Sequence, residues 1–244
     1  MTTRRIRNVL SATLLGSLTA CSTTSTRSTS VRDTTRSFTK VVVDAGHGGK
    51  DNGAFRRYGG AEKIATLDVA KRLDRKLRES QLKTVMTRSS DQFISLDERV
   101  RIENEQKNSI FVSIHFNDSR KRGIHGFDTY YHSANSRELA NRIQAKLTTI
   151  PHSANRGVHT ANFRVLRLAS YPSVLVECGF LSNRAEGDKA RDSEYRELLA
   201  DRIAEAIVEL RYGSGVYHAA ASTAPSPETE SSGAGLAPSS LRHN

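Results

Sequence analysis

The middle of the chain alternates between short apolar runs and longer segments with an apolar residue every three or four positions. The short runs are rich in Val, Ile and Phe and predict β-strands, whereas the periodic segments predict amphipathic helices. The predicted strands are 41–43, 84–87, 109–114, 127–131, 163–168 and 173–176, and the predicted helices are 62–77, 96–106, 136–147 and 194–210. This alternation indicates a single α/β domain with a twisted, mostly parallel central sheet of about six strands flanked by helices.

Both ends of the chain differ from this domain, which we assign to residues 40–212. At the N-terminus, arginines precede an apolar run at 9–18 that is too short to span a bilayer, and small residues follow it, so we predict an export signal over 1–20. Residues 21–39 are rich in Ser, Thr and Arg and predict a tether. Residues 213–244 are rich in Gly, Ala, Ser and Pro and predict a disordered tail.

The end of the export signal, Leu18-Thr19-Ala20-Cys21, resembles the lipobox of bacterial lipoproteins, whose cysteine is acylated and becomes the new N-terminus. Several acyl chains are enough for stable anchoring. We therefore expect Cys21 to anchor the protein to a membrane that it does not span. No acidic retention signal follows Cys21, which favours the outer membrane and a periplasmic domain. The alternative is an ordinary signal peptide, with Cys21 free or paired with Cys178.

The formal net charge of +11 favours anionic partners. Export makes anionic wall polymers and lipid head groups the expected neighbours. The chain has no Trp, only 6% aromatic residues and no recognised nucleic-acid motif. We therefore expect no nucleic-acid partner.

The glycine-rich stretch VVVDAGHGGKDNGA, residues 41–54, invites comparison with phosphate-binding loops. A Walker loop requires glycine at Asp44 and Ser or Thr at Asp51, and neither is present. The dinucleotide fingerprint requires its third glycine at the position of Asp51, where a carboxylate would repel a pyrophosphate. Metal binding and simple turn geometry remain as explanations of the loop.

Four chemically active side chains fall near the carboxyl ends of predicted strands or at the start of a helix. His47, His115 and Glu177 follow or end three strands, and Glu62 opens the first helix. The carboxyl ends of parallel strands gather at one edge of an α/β sheet, where sites form. Two imidazoles, one carboxylate and an open position make a hydrolytic zinc site, and a second carboxylate can move protons. The pattern is suggestive, since no HExxH motif accompanies it.

The order of the motifs resembles that of the zinc-dependent N-acetylmuramoyl-L-alanine amidases of bacterial cell walls. The matching pieces are the stretch 41–54, Glu62-Lys63, TRSSDQFISLDERVRIEN from Thr87, SIHFN from Ser113, RGV from Arg156, ANFRVLR from Ala161 and VLVECGFLSN from Val174. Together they span essentially the whole core in order. The signal and the tail lie outside the resemblance.

The resemblance implies a role for several residues. His47, Glu62 and His115 correspond to the three ligands of one zinc ion, and Glu177 corresponds to the catalytic glutamate. Apart from the resemblance, Asn117 lies two residues after His115, and we expect it to hydrogen-bond the substrate, with a role in a turn as an equal alternative. We expect the glycines of the loop to let the backbone turn so that His47 faces the metal.

The sequence departs from the family pattern at a few positions. Ala45 and Asn52 stand where proline is usual, Phe116 where Ala is common, and Cys178 where an apolar residue is common. None of these changes removes a ligand. Phe116 would narrow the pocket and so puts the fine specificity in doubt.

The implied activity is hydrolysis of the amide between N-acetylmuramic acid and L-alanine of the stem peptide, with peptidoglycan as substrate, in wall remodelling or daughter-cell separation. Residues 131–156 leave room for only one ordinary helix. We therefore expect no built-in inhibitory helix and no need for an activator protein. Arg120, Lys121 and Arg122 are expected to form a solvated loop, with contact to glycan or peptide carboxylates as the alternative.

Two other functions stay open at the level of sequence. One is a zinc peptidase that cuts within the stem peptide. The other is a non-catalytic lipoprotein that binds peptidoglycan, against which Glu177 counts because a structural zinc site needs no free carboxylate. A nucleophilic Cys178 is a further alternative to a small apolar core cysteine.

Overall fold

The computed structural model of the protein describes residues 30–217. Eight strands occur in this range: β1 (Lys40–Ala45), β2 (Phe55–Arg56), β3 (Gly60–Ala61), β4 (Lys83–Met86), β5 (Ser109–Asn117), β6 (Phe127–Tyr131), β7 (Asn155–Thr160) and β8 (Ser173–Phe180). Six of them form one sheet in the order β4-β1-β5-β8-β6-β7, and β2 and β3 form a separate antiparallel hairpin.

The central sheet is mostly parallel. Strands β4, β1, β5 and β8 all run in the same direction. Strand β6 is antiparallel to β8 and parallel to β7, so the last two strands run the opposite way. The prediction of a single α/β domain with a mostly parallel sheet of six strands is confirmed.

Helices cover both faces of the sheet. They are α1 (Glu62–Glu79), α2 (Leu96–Glu105), α3 (Arg137–Leu147), α4 (Arg164–Arg167), α5 (Arg184–Arg191) and α6 (Ser193–Tyr212). Successive side chains of a strand point to opposite faces. Val41 and Val43 accordingly pack with α1, α3 and α6 in the larger core, while Val42 packs with α4 and the apolar side of α2. This burial on both sides explains why β1 is a continuous β-branched run.

Two helix boundaries carry local sequence signals, a serine before α2 and a glycine after α6. The side chain of Ser95 accepts a hydrogen bond from the backbone nitrogen of Glu98 and so caps α2. Gly213, with φ 101°, follows α6 in a backbone conformation that favours glycine. None of the helices within 30–217 is both long enough and apolar enough to cross a membrane.

One predicted strand is wrong. Segment 163–168 contains the short helix α4 (Arg164–Arg167), and the carbonyl of Phe163 accepts hydrogen bonds from the backbone nitrogens of Leu166 and Arg167. Val165 and Leu166 are both buried in the smaller core, where they pack with Val42, Phe111 and Leu175 of the sheet. The sixth strand is instead β7, an edge strand that lacks an apolar run. The hairpin and α5 were also not predicted.

The packed structure begins before the predicted domain boundary at residue 40. Phe38 is fully buried, and the hydroxyl of Thr34 donates to the carbonyl of Ser109 at 2.6 Å. At the other end, Tyr217 is buried and its hydroxyl donates to Asp201 at 2.7 Å. Residues 30–39 and 213–217 therefore add to the domain. The predicted export signal, Cys21 and residues 218–244 lie outside the described range.

Candidate active site

The glycine-rich loop begins where β1 ends, at Ala45. His47 has φ 60°, a left-handed conformation that a residue with a side chain adopts only when its surroundings enforce it. Gly48 and Gly49 also have positive φ, at 127° and 57°, and form the turn. Gly46 has a different role, because a Cβ there would lie 2.3 Å from Cε1 of His115. Gly46 makes room for the second histidine, while the two later glycines turn the chain.

Three of the predicted site residues converge. Oε1 of Glu62, at the start of α1, lies 3.1 Å from Nε2 of His47 and 3.0 Å from Nδ1 of His115 on β5. One ligand atom from each of the three residues lies within 4.8 Å of the others. The loop, the helix and the central strand thus bring together two imidazole nitrogens and one carboxylate oxygen.

Further hydrogen bonds orient His47 and Glu62. Oδ2 of Asp51 lies 2.9 Å from Nδ1 of His47, so an N–H on Nδ1 leaves the lone pair of Nε2 facing Glu62. The backbone nitrogens of Ala54 and Phe116 donate to Glu62 at 2.9 and 3.0 Å. Burial raises the pKa of Glu62, but the bonds to His115 and His47 outweigh it, and the net pKa is far below the ordinary value. Glu62 is therefore a carboxylate at neutral pH.

These residues fit a zinc ion. Two imidazoles and one carboxylate are the protein ligands of many catalytic zinc sites, in which a fourth position stays open. The loop is closely shaped around the donors, since a Cβ at Gly53 would lie 2.5 Å from Oε2 of Glu62 and 2.6 Å from Cδ2 of His47. The outer hydrogen bond to Asp51 is also the kind of contact that orients a metal-binding histidine.

Glu177 lies on β8, directly beside His115 in the register of the parallel pair β5 and β8. Its Oε2 atom is buried and has no hydrogen-bond partner within residues 30–217. Burial raises the pKa of Glu177 well above the ordinary value, and the nearby charges of Glu62 and Asp128 raise it further. A carboxyl group without a structural partner thus stands next to the three donors.

An open pocket of about 340 Å³ is lined by His47, His115 and Glu177, whereas Glu62 is buried. The polar part of the lining also includes Asp51. The apolar part, which we call the apolar wall, consists of Phe93, Ile94, Leu96, Phe163, Val165 and Leu175. An apolar pocket with a few convergent polar groups is typical of a small-molecule or substrate site.

Two buried arginines that the sequence analysis did not identify hold the loop. Arg88 donates to the carbonyls of Ala45 and Gly46 at 2.9 and 2.7 Å, and Arg99 donates to the carbonyl of His47 at 2.7 Å. Arg99 also forms a buried ion pair with Asp44. The buried residues of α2 are Arg99 and Glu103, although the buried face of an amphipathic helix is usually apolar.

The remaining predicted positions lie apart from the pocket lining. Oδ1 of Asn117 accepts a hydrogen bond from the backbone nitrogen of Asp118 at 2.8 Å, which matches the turn alternative. Its contact with substrate stays a prediction. Phe116 is buried in the larger core and is not part of the pocket wall, so the expectation that it narrows the pocket is wrong.

Cys178 is a core residue. It forms no disulfide within residues 30–217, is 1% exposed and is packed in the larger core, and burial raises the pKa of its thiol well above the ordinary value. A buried, protonated thiol is a poor nucleophile. The structure therefore favours the apolar-core alternative for this residue.

The segment between β6 and β7 forms α3, preceded by one turn of 3₁₀ helix at Ala134–Ser136. Helix α3 packs against α6 and β6, on the face of the sheet opposite to α2 and α4. The apolar wall of the pocket is formed mainly by α2, α4 and the residues before each of them, and α3 does not contribute to it.

The fold and the site define a class of protein. An α/β domain that presents two imidazoles and a carboxylate in an open pocket, with a second carboxyl beside them, is typical of metal-dependent hydrolases.

The comparison with known proteins defines the family. The family model of N-acetylmuramoyl-L-alanine amidase matches residues 41–209, and the chain belongs to this family. It is 38% identical over 172 residues to the N-acetylmuramoyl-L-alanine amidase LytC of Bacillus subtilis. The aligned residues make up 69% of this chain and 34% of LytC. The chain thus spans about a third of the length of that relative.

Solved structures of the family share the fold. The catalytic domain of CwlV, an N-acetylmuramoyl-L-alanine amidase from Bacillus (Paenibacillus) polymyxa, matches with a TM-score of 0.67 and 36% identity, over 70% of this chain and 97% of that one. The amidase AmiC2 of Nostoc punctiforme matches with a TM-score of 0.68 and 36% identity, over 70% and 95%. The similarity therefore extends over nearly the whole of these two domains.

Proposed function

We propose that the protein is a zinc-dependent peptidoglycan hydrolase that cleaves the amide between N-acetylmuramic acid and L-alanine of the stem peptide, in wall remodelling or daughter-cell separation. The observation that carries the proposal is the convergence of His47, Glu62 and His115 beside the unpartnered carboxyl of Glu177. Membership of the amidase family supports the choice of bond.

His47, Glu62 and His115 would hold one zinc ion. When bound, zinc supplies a Lewis acid that polarises the amide carbonyl and lowers the pKa of a water to about 7. Asp51 keeps Nε2 of His47 directed at the donors, and the backbone nitrogens of Ala54 and Phe116 keep the Glu62 carboxylate in place.

Glu177 would transfer the proton. Its carboxylate accepts a proton from the attacking water and delivers it to the nitrogen of the departing alanine, because an amine leaves poorly unless it is protonated. Burial raises the pKa of Glu177, which helps the group to retain the proton until the nitrogen accepts it. The apolar wall with Phe93, Leu96 and Phe163 would shield the reacting amide from bulk water.

A chelation experiment on purified sacculi tests the proposal. Release of soluble peptide should stop when the metal is chelated and should return when zinc is added back, whereas iodoacetamide should have no effect because Cys178 is buried. Activity that survives chelation, or that iodoacetamide abolishes, would contradict a zinc mechanism. The proposed core should also act without any added protein, and strict dependence on an activator would contradict that part.

The proposal includes a lipid anchor at Cys21 that holds the exported enzyme in the periplasm, at the outer membrane. Cys21→Ala should move the protein from the membrane fraction to the soluble fraction and abolish labelling by a fatty-acid analogue. Unchanged fractionation of that variant would contradict acylation at this residue. A peptidoglycan-binding lipoprotein without activity is disfavoured because a structural zinc site does not need a further carboxyl, such as that of Glu177, beside its ligands.

A further inference from the structure

A second pocket, of about 400 Å³, lies between the β2–β3 hairpin and the loop that follows β5. Its lining is basic and includes Arg56, Arg57, Arg120 and Arg122. Lys121 is exposed in the same loop. We call these five residues the arginine patch.

The arginine patch has a large excess of positive charge. Arg56 pairs with Asp118, but Arg57, Arg120, Lys121 and Arg122 form no ion pair with any residue in the described part of the chain. Elsewhere in the protein many arginines are paired with acids, and Arg72 and Arg75, for example, both bind Glu197. The charge of the patch is thus left available for a ligand.

The loop of the patch is held by hydrogen bonds that do not involve its basic side chains. The backbone nitrogen of Ser119 donates to the hydroxyl of Ser182 at 2.9 Å, and that of Lys121 donates to the hydroxyl of Ser119 at 3.1 Å. The side-chain amide of Asn183 donates to the carbonyl of Arg122 at 3.0 Å. These hydrogen bonds fix the backbone of the loop. The guanidinium groups of Arg120 and Arg122 form no hydrogen bond or ion pair within residues 30–217.

The patch adjoins the donors of the candidate active site. Asp118, which binds Arg56, is three residues after His115, and three residues span at most about 11 Å. Arg56 pairs with Gly60 in the hairpin, two residues before Glu62. The patch is formed by different elements from the apolar wall, which belongs to the region of α2 and α4. An extended peptide whose first amide lies at the donors would reach the patch with about its third residue.

We propose that the arginine patch binds the carboxylates of the stem peptide, so that the peptide side of the scissile amide lies over the patch and the sugar side over the apolar wall. This inference rests on the proposed amidase function. Stem peptides carry free carboxylates beyond the first alanine, and the planar fork of arginine matches a carboxylate with two hydrogen bonds. The distance to the donors favours a carboxylate on the substrate itself over a separate anionic polymer.

The test compares two muramoyl-tetrapeptides, one with free carboxylates and one with all peptide carboxylates amidated. For the Arg120→Gln/Arg122→Gln variant we expect kcat/KM on the free-carboxylate substrate to fall about tenfold to a hundredfold, mainly through KM, as for the loss of charge-assisted hydrogen bonds. The amidated substrate should show no such loss. The control Arg78→Gln/Arg101→Gln removes the same charge from exposed ion pairs on α1 and α2 and should leave both substrates unaffected.

The outcomes separate the two proposals. If the wild-type protein cleaves neither substrate, the amidase function fails and this inference fails with it. If the wild-type protein cleaves the free-carboxylate substrate and the patch variant cleaves it equally well, or loses activity equally on both substrates, only the carboxylate assignment is overturned. Normal hydrolysis by the patch variant together with lost binding to vesicles of anionic phospholipid would also overturn it and assign the patch to membrane surfaces.

Discussion

Two acidic residues at the same edge of the sheet have opposite surroundings. Asp44 on β1 is 1% exposed and accepts hydrogen bonds from the hydroxyls of Thr87 and Ser113, at 2.5 and 2.6 Å, and from Arg99. Burial alone would raise the pKa of Asp44, but these partners lower it below the ordinary value. Glu177 on β8 has a buried oxygen without a partner and a raised pKa. The satisfied acid holds the loop, whereas the unsatisfied acid is available for chemistry.

A third buried acid shows that a missing partner is not sufficient evidence of catalysis. Both carboxyl oxygens of Glu103 on α2 are buried without a hydrogen-bond partner among residues 30–217, and burial raises its pKa well above the ordinary value. Glu103, however, does not line the pocket. Glu177 differs from Glu103 because it lies beside His115 as well as having a buried oxygen without a partner. A substitution of Glu103 is therefore the control for a substitution of Glu177.

The largest expected effect follows from Glu177→Gln. Removing the proton-transfer group should lower kcat by about 10²-fold to 10⁴-fold, the usual contribution of general acid–base catalysis. Zinc content should stay close to that of the wild-type protein. Glu103→Gln should retain activity. A Glu177→Gln variant with wild-type turnover would remove Glu177 from the mechanism.

Asp44→Ala should act on stability rather than on a chemical step. It leaves Arg99 buried without its carboxylate partner, and breaking a buried pair in this way costs about 3–5 kcal/mol. Urea unfolding would measure the loss. Asp97→Ala removes an exposed partner of Arg164 and should cost under about 1 kcal/mol. Equal losses in the two variants would contradict the structural role of Asp44.

The pH dependence of the metal-free protein should show the two acids acting in opposite directions. Asp44 has a folded pKa below its ordinary value of 3.8, so its contribution to stability is present above that pH and is lost as the pH falls. Glu177 has a folded pKa above its ordinary value of 4.5, so its ionisation weakens the fold as the pH rises from 4.5. Glu177→Gln should therefore be more stable than the wild-type protein at pH 7, with the gap closing in acid. A gap that is independent of pH would contradict this account.

Asp51→Ala should give the smallest effect. It removes the hydrogen bond behind His47 without removing a donor, and such losses lower metal affinity by about tenfold to a hundredfold. Competition with a chromogenic chelator would measure the affinity. Saturating zinc should restore most of the activity, whereas a defect that zinc does not restore would show that Asp51 acts elsewhere.

Much of the fold follows from local pattern. The β-branched run 41–43 and the apolar run 109–114 are buried on both faces, and that burial is what such runs indicate. Segment 163–168 was wrongly predicted as a strand because a short apolar run such as Val165-Leu166 fits both a strand and a helix. Only the packing of these two side chains against β8 decides between the two structures. Strand β7 is held by pairing with β6 rather than by apolar residues of its own.

The candidate site was predictable where chemistry coincides with a strand end, as at His47 and His115. The supporting arginines were not, because Arg88 and Arg99 resemble ordinary surface residues until the carbonyls of residues 45–47 are placed around them. The steric role of Gly46 was likewise invisible, since it depends on where the ring of His115 lies. Long-range contacts of this kind have no local sequence signal.

The bond that is cut distinguishes an amidase from a peptidase of the stem peptide. Mass spectrometry of purified peptidoglycan digested with the zinc-loaded protein identifies that bond. We expect glycan strands with intact, peptide-free muramic acid and released peptides that begin with alanine. Products cut within the stem peptide, with alanine still attached to muramic acid, would contradict the amidase function.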